Sequence, residues 1–153
     1  MRLFALILML AAPLAHPAAA GPDRLSFLMG SKHIDAQSDF EEINPGIVLT
    51  WEPRLTYSVA AYRNSYGRGS VAFSLGYPVF TRKDLQIEAF GALAYYPIDG
   101  RRFAVHWGDV IPLGGLQARY KNVFMQAIPS DGIEADAIFS FGLTFALGSE
   151  GDG

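Results

Sequence analysis

The side chains in this chain that could do chemistry are few, and their positions are informative. After an N-terminal leader that includes His16, two histidines remain, His33 and His106; the pair Asn64-Ser65 is the other polar feature of interest. An imidazole can take or give a proton near neutral pH, and an amide or a hydroxyl can donate to a neighbouring acceptor. Five cations, Lys32, Arg63, Arg68, Arg101 and Arg102, could form a substrate-binding ring. Guanidinium forks match phosphate oxygens. Acids lie close to them in sequence (Asp35, Asp39, Glu41, Glu42 and Asp99), so the same charges could simply meet headgroups and water. Two distant histidines and no cysteine make no metal site, and Gly67-x-Gly69 is a turn with no helix behind it.

These groups must be positioned by strands. Ala137, Phe139, Phe141, Leu143, Phe145 and Leu147 share one face of a period-2 segment, with Ile138, Ser140, Gly142, Thr144 and Ala146 on the other. Val71–Tyr77 and Leu55–Asn64 alternate in the same way. One face of large apolar residues and one of small or polar residues is the pattern of an outer-membrane strand, with lipid outside and a packed lumen inside. Eight such segments are expected, at about 25–33, 44–52, 55–64, 69–80, 84–95, 102–111, 116–128 and 134–147. The expected fold is therefore all-β: an eight-stranded antiparallel outer-membrane β-barrel. Tight turns at 51–54, 80–84 and 112–115 alternate with longer connections at 34–43, 96–101 and 129–133, which assigns the turns to the periplasm and the loops to the exterior. Arg119, Lys121 and Asn122 cannot all face the lumen without a bulge in 116–128. His106 is expected in the lumen beside Trp107. Pro45 and Pro129, which cannot donate to a ladder, are expected to gap the wall at its outer half.

The remainder of the chain agrees with export. Arg2, the apolar run Leu3–Leu14 and Ala18-Ala19-Ala20 read as a signal peptide over 1–20, leaving 21–153 as the barrel. A net charge of −3 argues against nucleic acid as partner, and 50% apolar content argues against disorder. In this topology the first and third strands both run outward. They carry His33 and Asn64-Ser65 to the external rim, with the five cations at the same level. A bland alternative is that His33, Asn64 and Ser65 finish two strands and cap a hairpin.

The order of several motifs resembles the lipid A palmitoyltransferases of outer membranes. Ser31-Lys-His33, Ile43-Asn44-Pro45-Gly46, Ala61-Tyr62-Arg63-Asn64-Ser65, Ile111-Pro112-Leu113, Phe124-Met-Gln-Ala-Ile-Pro129 and the closing Phe139–Phe145 follow that family's sequence of landmarks over 31–147. The resemblance implies a transferase that moves a fatty acyl chain from phospholipid to lipid A without a cofactor. It implies His33 as general base or acid, Ser65 as a hydroxyl in the reacting centre and Asn64 as a polarising or orienting group. It also implies membrane lipids (phospholipid and lipopolysaccharide) as partners of a monomer that the outer-membrane assembly machinery inserts. The chain departs from the family where Asn64 replaces an aspartate, where only Gly21–Arg24 stand before the first strand in place of an amphipathic helix, and in its shorter loops. Asn44-Pro45-Gly46 also resembles lipid A deacylases, but their catalytic histidine lies near the C-terminal strands, and no histidine follows His106 here. The alternative function is a non-enzymatic small barrel for envelope integrity or surface interaction.

Overall fold

The computed structural model describes residues 21–130 and 134–148. The expected signal peptide lies outside them. Eight strands, β1 (Arg24–Ile34), β2 (Ile43–Trp51), β3 (Thr56–Arg63), β4 (Gly69–Arg82), β5 (Leu85–Tyr95), β6 (Val110–Tyr120), β7 (Val123–Pro129) and β8 (Ala137–Ala146), close into one antiparallel barrel. Each strand pairs with its chain neighbours, and β8 returns to β1 from Arg24↔Ala146 to Ile34↔Ala137. All-β architecture and the even strand count are as the alternation requires.

The alternation also sets the faces. In β8, Ser140, Gly142 and Thr144 point inward and are buried, whereas Phe139, Phe141, Leu143 and Phe145 stand exposed on the outer wall. Close approach of the backbones dictates Gly142: a Cβ there would lie 2.1 Å from the Phe27 carbonyl oxygen of β1. On β4, Gly76 leaves room for the buried carboxyl of Glu88 on β5, which a Cβ would meet at 2.3 Å.

Two expected boundaries are overturned together. Residues 102–111 are not the sixth strand; most of them belong to a connection over 96–109 with a 3₁₀ turn at Gly100–Arg102. The sixth strand runs instead through Pro112-Leu-Gly-Gly115, the stretch expected to be a turn. Phe103, Val105 and Trp107 imitate a strand because the loop presents apolar residues at alternate positions. Pro112 is tolerated because it stands in a part of β6 that pairs with β5 alone, which is an edge in effect. The glycines follow from close approach, since a Cβ at Gly115 would lie 2.0 Å from the Ala127 carbonyl oxygen. The bulge expected within 116–128 is replaced by a two-residue turn at Lys121-Asn122, with Tyr120 paired to Val123 and Lys121 at φ 52°. His106 consequently lies exposed on the β5–β6 loop, not in the lumen.

The barrel has two distinct ends. Tight turns lie at 52–55, 83–84 and 121–122, on the end where the described chain begins and finishes. The longer connections 35–42, 64–68 and 96–109 lie at the other, where β7 also ends and β8 begins. The alternation of short and long connections therefore holds, with the third turn displaced.

Candidate active site

The lumen is divided in two. Near the turn end, polar side chains fill it: Arg119 of β6 pairs with Glu52 and donates to Gln86 Oε1 at 2.5 Å, and Ser26 and Arg24 both donate to Thr144 Oγ1, at 2.8 and 3.1 Å. The ring of Phe124 borders this layer and also the space above it. That space is a cavity of about 140 Å³ that runs from mid-barrel to the loop end. Its lower walls are small or apolar (Leu28, Val48, Ala60, Ala72, Phe90, Leu113). His33, Asn64 and Ser65 all line its upper part. Strand direction thus brings the three together from β1 and the end of β3, as the topology requires.

Each of the three has a different environment. The His33 side chain is buried, and its Nδ1 is the one buried side-chain nitrogen or oxygen among the described residues without a hydrogen-bond partner. Buried polar atoms are normally paired, so an orphan in a cavity wall marks a position set up to meet something else. The imidazole stacks on Phe40 of the β1–β2 connection, with ring centroids 4.2 Å apart. Asn64 is 1% exposed and its groups are engaged: Oδ1 accepts from the backbone N–H of Tyr66 and of Arg68, at 2.9 and 3.0 Å, and Nδ2 donates to Ser70 Oγ at 2.9 Å. This is an Asx-type turn, in which a short amide organises the chain just beyond its own backbone. Ser65 is half-buried, and its carbonyl accepts from the Glu41 N–H at 2.9 Å, which ties the β1–β2 connection across the mouth. Among the described residues no hydrogen bond joins His33 to Ser65. β2 stands between their strands, a separation of roughly 10 Å for two strand spacings.

Aromatic residues that the sequence reading missed form the roof. Phe40 meets Tyr66 edge-on, Tyr66 meets Tyr96 and Phe103, and Tyr96 meets Phe103 in turn. Phe40 carries a usable signal, as the one aromatic in the otherwise polar and acidic stretch 35–42. Burial, reinforced by Glu134, pushes the Tyr66 phenol up to about 12; burial raises Tyr96 as well. Both phenols therefore stay protonated near neutral pH.

The five cations are at the loop end, and most are partnered. Lys32 pairs with Glu42 at 2.6 Å and Arg63 with Glu41 at 3.4 Å. Arg68 and Arg102 converge on one buried carboxylate, Asp99, and Arg102 also lies over the Tyr66 ring at 5.0 Å. Arg101 is exposed and makes no ion pair among the described residues. The Lys32 and Arg63 pairs, exposed on both sides, are weak and readily exchange for another anion. No group of three metal-ligating side chains occurs among the described residues.

The outer wall beside the cavity is incompletely laced. The β6–β7 ladder stops at Leu116↔Ala127, so Val110–Gly115 have no partner in β7, and Pro129 lies beyond the last pair. The β1–β2 register jumps from Leu28↔Gly46 to Gly30↔Ile43, skipping Asn44 and Pro45. Both prolines thus stand where pairing lapses. No protein-family model matches the chain, and no curated protein matches it either.

Proposed function

We propose that the protein is an outer-membrane acyltransferase-like barrel that moves a fatty acyl chain from a phospholipid to lipid A. The observation that carries this reading is the His33 imidazole, buried in the wall of an apolar cavity with Nδ1 unpartnered and Ser65 on the same cavity. The outer-membrane placement is supported by the wall itself: Ile47, Val59, Val71, Leu75, Leu93 and Phe141 are all close to half exposed. Soluble monomers rarely expose apolar surface on that scale.

In this reading the donor's acyl chain occupies the cavity with its ester carbonyl at the level of His33 and Ser65. His33 takes the proton of the acceptor hydroxyl as that oxygen attacks the carbonyl carbon. The Ser65 hydroxyl donates to the developing oxyanion. When the ester bond breaks, the proton passes from His33 to the departing glycerol oxygen, so the products are acylated lipid A and lysophospholipid. Asn64 acts by holding the 64–68 turn, and with it Ser65, in place. The lapses in pairing beside Pro45 and Pro129 are where an acyl chain could enter from the side. Lys32 and Arg63 would meet lipid phosphates by exchanging their exposed carboxylate partners, Arg101 would meet them directly, and Arg68 and Arg102 would do so while keeping Asp99.

A second reading, a non-enzymatic barrel for envelope integrity or surface interaction, is favoured by one observation: Arg68, Arg102 and Asp99 already satisfy one another at the rim. Mass spectrometry of lipid A from cells that express the chain, beside His33→Ala and Ser65→Ala variants that still refold, separates the two. One added acyl chain, lost in both variants, is the expected result. An unchanged lipid A profile with folded wild type, in membranes carrying phospholipid in the outer leaflet, would leave the second reading.

A further inference from the structure

The connection between β5 and β6 is turned inside out. Over residues 96–109 its carboxylate Asp99 is 2% exposed, whereas Ile98, Val105 and Trp107 are 71%, 58% and 65% exposed. A loop folded for water would do the opposite, because a buried charge needs compensating partners and an exposed indole is unfavourable. The inversion is held rigidly. Asp99 is gripped by Arg68 and Arg102, and Gly100 packs so tightly that a Cβ would lie 2.4 Å from the Asp109 Cα. Ile98 is kept at φ 71°, a left-handed conformation that a β-branched residue resists. Such strain persists only where its surroundings fix it.

The direction of Trp107 follows from pairing. Trp107 and Val110 exchange both backbone hydrogen bonds across a two-residue turn, at 2.8 and 3.2 Å, and Val110 pairs with Tyr95. Residues directly opposite in an antiparallel pair share a face. Tyr95 is exposed on the outer wall while Ala94 and Ile111 are buried inward, so Trp107 extends the outer apolar surface sideways from Val110, level with the last strand pair. The same loop carries the exposed Arg101, with no ion pair among the described residues, and His106. An indole and two aliphatic side chains on one loop with an exposed arginine is the composition that settles at the boundary between acyl chains and phosphate headgroups.

We infer that the β5–β6 loop is a membrane anchor, which lays Ile98, Val105 and Trp107 into the lipid surface at the loop end with Arg101 among the phosphates. The inference rests on the barrel spanning a membrane, but not on its catalysing any reaction. The chain holds two tryptophans, and Trp51 lies on the outer wall at the turn end, stacked on Tyr57. Trp51→Phe therefore reports Trp107 alone, and Trp107→Phe reports Trp51 alone. Each variant is refolded into phosphatidylcholine vesicles with or without bromine at shallow acyl carbons, and checked by heat-modifiable gel migration. Trp107 is expected to lose most of its emission to the brominated lipid and to be quenched by aqueous acrylamide several-fold less than in urea. Quenching of Trp51 by bromine with Trp107 left bright, and open to acrylamide, would overturn the anchor alone. Neither tryptophan responding to bromine would overturn it together with the membrane-spanning reading.

Discussion

The imidazole of His33 lies flat against the ring of Phe40, their planes 20° apart. Phe40 and His33 both border the internal cavity and an open groove on the outside of the β1–β2 connection, and the stacked ring covers one face of the imidazole. Phe40→Ala is expected to leave a folded barrel, at a cost below the roughly 3–5 kcal/mol of a fully buried Phe→Ala change. His33 should then react faster with diethyl pyrocarbonate, followed by mass spectrometry of the modified peptide. Equal rates in variant and wild type would mean that Phe40 shields nothing.

Asn64 allows the turn to be separated from any charge at that position. Aspartate keeps an acceptor for the Tyr66 and Arg68 N–H groups, and the Ser70 hydroxyl can rotate to donate. Asn64→Asp should therefore unfold at nearly the wild-type urea concentration. Asn64→Ala strands two backbone donors in a buried site and should cost about 1–3 kcal/mol. A similar loss in both variants would show that the turn depends on the amide nitrogen.

The Arg119–Glu52 pair lies in the polar layer, with side chains 16% and 27% exposed. Removing one member leaves its partner poorly compensated, whereas removing both should cost less than the two single changes combined. A double-mutant cycle with Arg119→Leu and Glu52→Leu, read by urea unfolding in vesicles, checks this. Strict additivity would show that the two side chains do not act as a unit.

Phe141 stands on the outer wall midway along β8. In a bilayer, Phe141→Arg should cost roughly 2–4 kcal/mol. Phe141→Leu should be nearly neutral. Refolding of the arginine variant as readily as wild type would place this face in water.

How much of this was legible in the sequence varied with the kind of constraint. β8 could be read because each of its residues faces either the packed lumen or the outer wall, and Phe139–Phe145 record that choice without exception. The meeting of His33 with Asn64-Ser65 on one cavity followed from strand direction alone. β6 could not be read, since its glycines answer to carbonyls of β5 and β7 that are distant in sequence, and Pro112 to a lapse in pairing that no local pattern encodes. The false strand over 102–111 had a specific cause: alternation reports which side chains are apolar, and Val105 and Trp107 are apolar for a loop. Asn64 was recognised as important, but its engagement with the 64–68 turn depends on hydrogen bonds that residue type alone does not specify.

The polar layer makes this barrel an insulator. Rings of strands are the architecture of pores, yet here Arg119 reaches across the lumen to Glu52, bonds to Gln86 on the neighbouring strand, and helps to leave only about 20 Å³ of space beneath Phe124. The cavity is thus a well with an aromatic roof at the loop end and a polar floor toward the turn end. A cell could carry many copies without leaking ions, and a planar bilayer loaded with the protein should stay electrically silent.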